Sequence, residues 1–136
     1  MNYTGGCLCG ALRYSSSVDP IDAGYCHCRM CQKISGATVL PWASFSPSDL
    51  NYTKGQPKIY KSSDWGQREF CEACGSQIAF RGMERNDTVE INVGTLDDPE
   101  IITPEYHVWC ASQVSWFDTA DELPRHPKSS ETTDHG

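Results

Sequence analysis

Three cysteines within six residues, Cys26-His27-Cys28-Arg29-Met30-Cys31, make the most chemically loaded stretch of the chain. On an extended backbone, residues two apart share a face, so Cys26 and Cys28 converge on one point. A helix beginning after Cys28 returns Cys31 to that side three residues later. The product is a three-thiolate claw, and a tetrahedral metal held by it keeps one position for an exchangeable ligand. Two further pairs, Cys7/Cys9 and Cys71/Cys74, supply four thiolates, the full set for a closed structural zinc. Cys110 is isolated in sequence from the other seven. Spacing leaves the partition open, because His27 or Cys110 could give the trio a fourth ligand.

The composition suits this chemistry. With 136 residues, the chain has room for a single domain with one ordinary core. No apolar run approaches the roughly 20 residues of a membrane span, and Met1 to Gly6 has neither the basic nor the apolar region of a secretory signal. A cytoplasmic protein is expected. Eight cysteines in a reducing compartment favour metal ligation over disulfides, and their close pairing favours it further. A formal charge of −7 argues against nucleic acid or an anionic membrane as partner. An anionic substrate would need a local basic patch.

The elements that must position these thiols read as short strands. Gly5 to Gly10 is a glycine-flanked turn, Ala11 to Ser17 a strand, and Gly24 to Cys28 a short extended run. Arg29 to Ser35 is a short helix stopped by Gly36. Thr38 to Phe45 is a strand rich in β-formers, with Pro41 near an edge or bulge. Two short strands lie within Tyr52 to Tyr60, and Gln67 to Phe70 leads into the Cys71–Gly75 knuckle. Gln77 to Arg81 and Thr88 to Val93 are strands joined by a polar loop over Met83–Asp87. Val89, Ile91 and Val93 alternate with Glu90 and Asn92, the mark of a half-buried strand. Gly94 to Pro99 is a turn and Tyr106 to Val114 a last strand. Residues 1–124 form one domain, and the polar tail 125–136 is expected to be disordered. The class is mainly β, with few short helical turns.

Residues 5–124 resemble the glutathione-dependent formaldehyde-activating (Gfa-type, centromere-protein-V-like) family. The matching blocks are Gly6-Cys7-Leu8-Cys9-Gly10, Cys26-His27-Cys28-x-x-Cys31-x-Lys33-x-x-Gly36-Ala37 and Phe70-Cys71-x-x-Cys74-Gly75-Ser76. Gly94-Thr95-Leu96-Asp97-Asp98-Pro99, Pro104-Glu105-x-His107-Val108-Trp109 and Trp116-Phe117…Leu123-Pro124 follow in order. The resemblance implies two coiled antiparallel β-sheets knotted by zinc, a fold shared with the Rab-accessory chaperone and methionine sulfoxide reductase B. It implies two zincs, a structural one on Cys7, Cys9, Cys71 and Cys74 and a catalytic, more labile one on Cys26, Cys28 and Cys31. It implies a carbon–sulfur lyase that condenses glutathione with formaldehyde or another small aldehyde to an S-hydroxymethylglutathione-type product.

Other residues carry smaller expectations. Arg29 and Lys33 are the cations nearest the trio and are candidates for binding the anionic thiol. His27 faces away from its neighbours' metal and packs or hydrogen-bonds; His107 is a buried structural histidine. Asp97 and Asp98 shape their turn by side-chain to backbone bonds. Two rival functions stand beside the enzyme: a non-catalytic zinc-stabilised binding module, and a cysteine redox enzyme using Cys110.

Overall fold

The structure, a computed structural model, describes residues 2–83 and 88–130. Strands β1 (Tyr3–Gly6), β2 (Arg13–Ser16) and β5 (Asn51–Lys54) form a small antiparallel sheet in the order β1-β2-β5. The larger sheet holds β3 (Asp22–Cys26), β4 (Leu40–Phe45), β6 (Lys58–Ser63), β7 (Gly66–Phe70), β8 (Gln77–Gly82), β9 (Val89–Asn92) and β10 (Tyr106–Val108). Its order is β10-β3-β4-β9-β8-β7-β6. One helix, α1 (Arg29–Ser35), and three 3-10 turns complete the described secondary structure.

Period-2 alternation gives the large sheet two different faces. Ala23, Ala43, Phe45, Ala79, Val89 and Ile91 are buried on one side and pack with Tyr3, Tyr14, Leu50 and Ile78 into the main core. The opposite face carries a cross-strand row in register: Asp22 opposite Ser44, Ser44 opposite Glu90, Glu90 opposite Phe80, and Phe80 opposite Arg68. A second row runs Tyr106, Gly24, Trp42, Asn92. Gly24 is required there, because a Cβ would stand 2.9 Å from Trp42 Cζ2 and 2.7 Å from the Tyr106 carbonyl.

The small sheet is tied to the segment after β9. Tyr14 and Thr95 hydroxyls lie 2.7 Å apart, and the Asp97 amide donates to the Thr4 carbonyl. Asp97 does not cap its own turn as expected. Its carboxylate pairs with Arg13 and accepts from Thr4 Oγ1, and these two contacts hold it at a pKa of about 2. Asp98 does cap the following turn, accepting from the Glu100 amide.

Several boundaries differ from the sequence reading. β1 occupies the start of the expected glycine turn, because Gly5 and Gly6 pair with Tyr14 and Arg13. Pro41 lies within a central strand, yet β4 pairs with β9 only from Trp42 onward, so the missing N–H removes no bond on that side. The last strand stops at Val108, where Trp109 takes a left-handed backbone (φ 59) and a 3-10 turn over Cys110–Ser112 begins. β10 runs parallel to β3, so the large sheet is mixed rather than purely antiparallel.

The start of the expected tail is paired. His126 donates to the His107 carbonyl, and Trp109, Cys110 and Ala111 donate to Lys128, His126 and Pro127. Backbone hydrogen bonds hold a segment that has few apolar side chains to bury. Residues 131–136, and 84–87 of the expected polar loop, lie outside the described residues.

Candidate functional site

The outer cysteine pairs come together as the spacing suggested. Cys7 and Cys9 sit in the turn after β1, Cys71 and Cys74 in the turn between β7 and β8. Two left-handed glycines, Gly10 (φ 82) and Gly75 (φ 81), follow the second cysteine of each knuckle. The Gly75 amide bonds back to Cys71 at 2.7 Å, and the Leu8 amide reaches Ser76 Oγ at 3.0 Å. All four sulfurs lie within 4.8 Å of one another, with Cys7–Cys9 at 3.6 Å and Cys9–Cys71 at 3.8 Å. Four sulfurs at about 2.3 Å from a tetrahedral zinc would stand about 3.8 Å apart. The donor set fits a metal ion. Cys74 is already disposed toward the thiolate, its pKa pulled down to about 5 chiefly by its hydrogen bond with Ser76.

The trio is assembled by a strand end and a helix start. Cys26 closes β3, Cys28 is the N-cap of α1, and Cys31 lies in its first turn. The Cys28 sulfur accepts the Cys31 amide at 3.2 Å, a cap that directs it toward the claw. Gly36 (φ 75) ends the helix and donates to the Gln32 carbonyl. The three sulfurs lie within 4.8 Å of one another, and among the described residues no fourth His, Cys, Asp or Glu joins them. Cys26 and Cys31 are 3.2 Å apart, closer than the spacing on a metal by an amount a small side-chain rotation absorbs. The hydrogen bond from Cys26, then that from Cys31, pulls the Cys28 thiol down to about 3, so the cluster concentrates one negative charge on that sulfur. This second set can also hold a metal ion.

All three sulfurs line a cavity of about 610 Å3 that lies on the polar face of the large sheet. The first cluster does not border it. Arg29 stands on the cavity wall and bonds to Gln32 Oε1. Lys33 is exposed in the last turn of α1 and is not part of the wall.

The sequence did not single out Arg68, which lines the cavity, or Gln32 and Asp121, which hold the chain around it. Arg68 is buried on β7, with both terminal nitrogens 3.9 Å from Cys31 Sγ, its Cζ 4.6 Å from the Phe80 ring centre, and its Nε without a partner. Its position opposite Phe80 in the cross-strand row is a signal, but only once the strand pairing is known. Gln32 is buried and donates to the carbonyls of His27 and Ser112, fastening the claw's loop to the 3-10 turn after β10.

The two histidines behave as packing groups, but as a pair. Both are fully buried, their rings stack with centres 5.1 Å apart, and His27 Nε2 lies 2.8 Å from His107 Nδ1. His107 Nε2 meets the Asp121 carboxylate at 3.0 Å. Burial, then the neighbouring His107, lowers the His27 pKa. Hydrogen bonds from Thr119 and His107 hold Asp121 at about 2. Cys110 belongs to a separate small cleft with Arg125 and Asp118, and burial raises its thiol pKa. That environment lowers its thiolate fraction, which is unfavourable for a redox nucleophile.

Comparisons with known proteins agree with this architecture. A Schizosaccharomyces pombe protein described as an uncharacterized lyase is 23% identical over 120 residues, spanning 88% of this chain and 87% of the relative. The crystal structure of a Rhodobacter sphaeroides protein superposes with a TM-score of 0.60 at 21% identity. It covers 90% of this chain and 98% of its own, a likeness of fold alone. No helix among the described residues is long and apolar enough to cross a membrane. A family profile described as glutathione-dependent formaldehyde-activating enzyme matches residues 2–112, and the chain belongs to that family.

Proposed function

We propose that the protein is a zinc-dependent, carbon–sulfur lyase-type enzyme that adds a small thiol to an aldehyde and reverses that addition. The thiol is glutathione, and formaldehyde or a related aldehyde is its partner, as the family description suggests. One observation carries the reading: the trio has no fourth protein ligand among the described residues and opens on a cavity of substrate size. The lyase description of the S. pombe relative supports the reaction class.

In this reading Cys7, Cys9, Cys71 and Cys74 hold a structural zinc that staples the small sheet to the large one. Its binding free energy becomes folding free energy, on the order of ten kcal/mol in small zinc modules. Cys26, Cys28 and Cys31 hold the second zinc, which when bound would favour the thiolate form of an incoming thiol. The chain's own residues do the rest. Arg68 offsets the thiolate charge from the buried side of Cys31. Arg29 faces the anionic thiol from the cavity wall, and Lys33, one turn further on, adds a longer-range attraction. Such cations are needed because the chain as a whole carries −7. Eight free thiols and a thiol substrate together favour a reducing, cytoplasmic setting.

Exchange of label between formaldehyde and the glutathione adduct, followed by NMR, tests the proposal. Cys28→Ser keeps a good N-cap residue while deleting one sulfur. The expected result is exchange at the uncatalysed rate, with the first cluster's zinc and the fold retained. Exchange at the wild-type rate in this variant would refute the role given to the trio.

A further inference from the structure

Formaldehyde occupies little more than the roughly 30 Å3 share of a water molecule. The cavity beside the trio is about 610 Å3. That is within the range of pockets that enclose a whole organic ligand, which are walled by aromatic side chains and carry a few convergent polar groups. Here the aromatic walls are Trp42, Trp65, Phe80, Tyr106 and Trp109. They are ordered rather than incidental. Trp42 and Tyr106 meet edge-to-face with centres 5.6 Å apart near the β3 side, and Trp65 and Phe80 do the same at 6.0 Å near the β7 side. Between the two aromatic pairs the sheet face presents Ser44, Glu90 and Asn92.

Arg68 supplies the convergent polar group. It lies against Phe80 on one side and Cys31 on the other, is 6% exposed, and makes no ion pair with a carboxylate among the described residues. A guanidinium has five N–H donors. Arg68 lines the cavity and its contacts with Cys31 Sγ are long, so its terminal N–H groups remain for an oxygen there. Asp22 and Glu90 lie on the same wall as Arg29, Arg68 and the trio, where the thiol of the reading above must enter, so the thiol and its carbonyl partner share the cavity.

We propose that this cavity binds a flat aromatic carbonyl compound, its ring between the two aromatic pairs and its oxygen on Arg68. The assignment rests on the thiol-addition reading above and names the class of its carbonyl partner. In the step itself, the thiolate sulfur donates an electron pair to the carbonyl carbon and a C–S bond forms. The π pair of the C=O bond moves to oxygen, where Arg68 donates hydrogen bonds to the developing alkoxide. The alkoxide then takes up the proton that the thiol gave to solvent, so the product is a neutral hemithioacetal with no change of oxidation state.

The test uses two inert probes, benzamide and acetamide, titrated into the zinc-loaded full chain and followed by tryptophan fluorescence and NMR. Benzamide is expected to bind at least tenfold more tightly than acetamide. Trp65→Leu and, separately, Phe80→Leu should abolish that preference, while Arg68→Lys weakens both probes. Equal binding of the two probes overturns the assignment. So does a Trp65→Leu or Phe80→Leu protein, folded by circular dichroism, that keeps the preference but loses affinity for glutathione, because those side chains would then hold the thiol. A parallel assay with glutathione and either benzaldehyde or formaldehyde separates the two readings. Aromatic binding without turnover of either aldehyde supports the cavity assignment and refutes the thiol-addition reading; turnover of formaldehyde with no aromatic preference does the reverse.

Discussion

Both terminal nitrogens of Arg68 lie 3.9 Å from the sulfur of Cys31, although β7 is four strands away from β3, whose end carries the claw. In a flat sheet those strands would be roughly 19 Å apart. Helix α1, which carries Cys31 and packs on β4, and the long Arg68 side chain together span that distance, and both wall the cavity. The contact also places a fixed positive charge beside a group of thiolates. Arg68→Leu is expected to weaken metal binding at the trio by about 10- to 100-fold, the usual cost of losing a partner behind a metal ligand. Competition with a chromophoric chelator measures it, with the tetrad's metal as the internal control.

The buried histidine pair fixes a proton arrangement. Asp121 is held as an acceptor, so His107 donates from Nε2. If His27 carried its proton on Nδ1, that buried N–H would have no acceptor. His27 therefore donates from Nε2 to His107 Nδ1. Nitrogen-15 NMR should find both rings in the Nε2–H tautomer. His107→Ala strands the His27 donor and leaves a cavity, at a cost of about 2–4 kcal/mol in denaturant unfolding.

The two cysteine clusters should respond differently to the same substitution. Cys7→Ser removes a ligand that links β1 to the β7–β8 turn, so loss of metal should bring loss of structure, seen in circular dichroism and in thermal unfolding. Cys31→Ser should release metal from the trio with the tetrad's metal and the fold retained. Elemental analysis read against circular dichroism separates these outcomes.

Much of this site could be read in the sequence because ligand spacing and helix capping are local. The claw needs a strand end, an N-cap and one helical turn, and Cys26 to Gly36 encodes all three; the helix keeps its expected bounds, while the strand runs from Asp22 to Cys26 rather than from Gly24 to Cys28. The tetrad was readable for the same reason, as two compact knuckles each followed by glycine. Arg68 and Asp121 were not. Their roles depend on a contact between β7 and α1 and on a chain segment folding back, which are set by long-range pairing rather than by neighbouring residues. The parallel pairing of β10 was hidden likewise, because three residues carry too little periodicity to reveal a partner or its direction. The end of that strand at Trp109 depends on one left-handed backbone angle that a tryptophan does not announce.

Alkaline pH should destabilise the fold through Tyr52. Its hydroxyl donates to Glu69 Oε1 at 2.8 Å, and burial, then the Glu69 charge, pushes its pKa above the ordinary 10.0. Above pH 10.0 the unfolded chain loses this proton while the native state keeps it, so stability falls as pH rises through the folded value. Unfolding free energies from about pH 9 to about pH 11.5 should therefore decline. The decline should be shallower in Tyr52→Phe, which cannot ionise.

The central claim is that Cys26, Cys28 and Cys31 leave a metal one position for a substrate thiol. Cobalt substitution makes that position visible, because each thiolate bound to cobalt adds sulfur-to-metal charge-transfer absorption. Glutathione added to the cobalt-loaded protein should increase that absorption saturably, and Cys28→Ser should abolish the increase. A spectrum unchanged by glutathione, with both clusters loaded, would contradict the account.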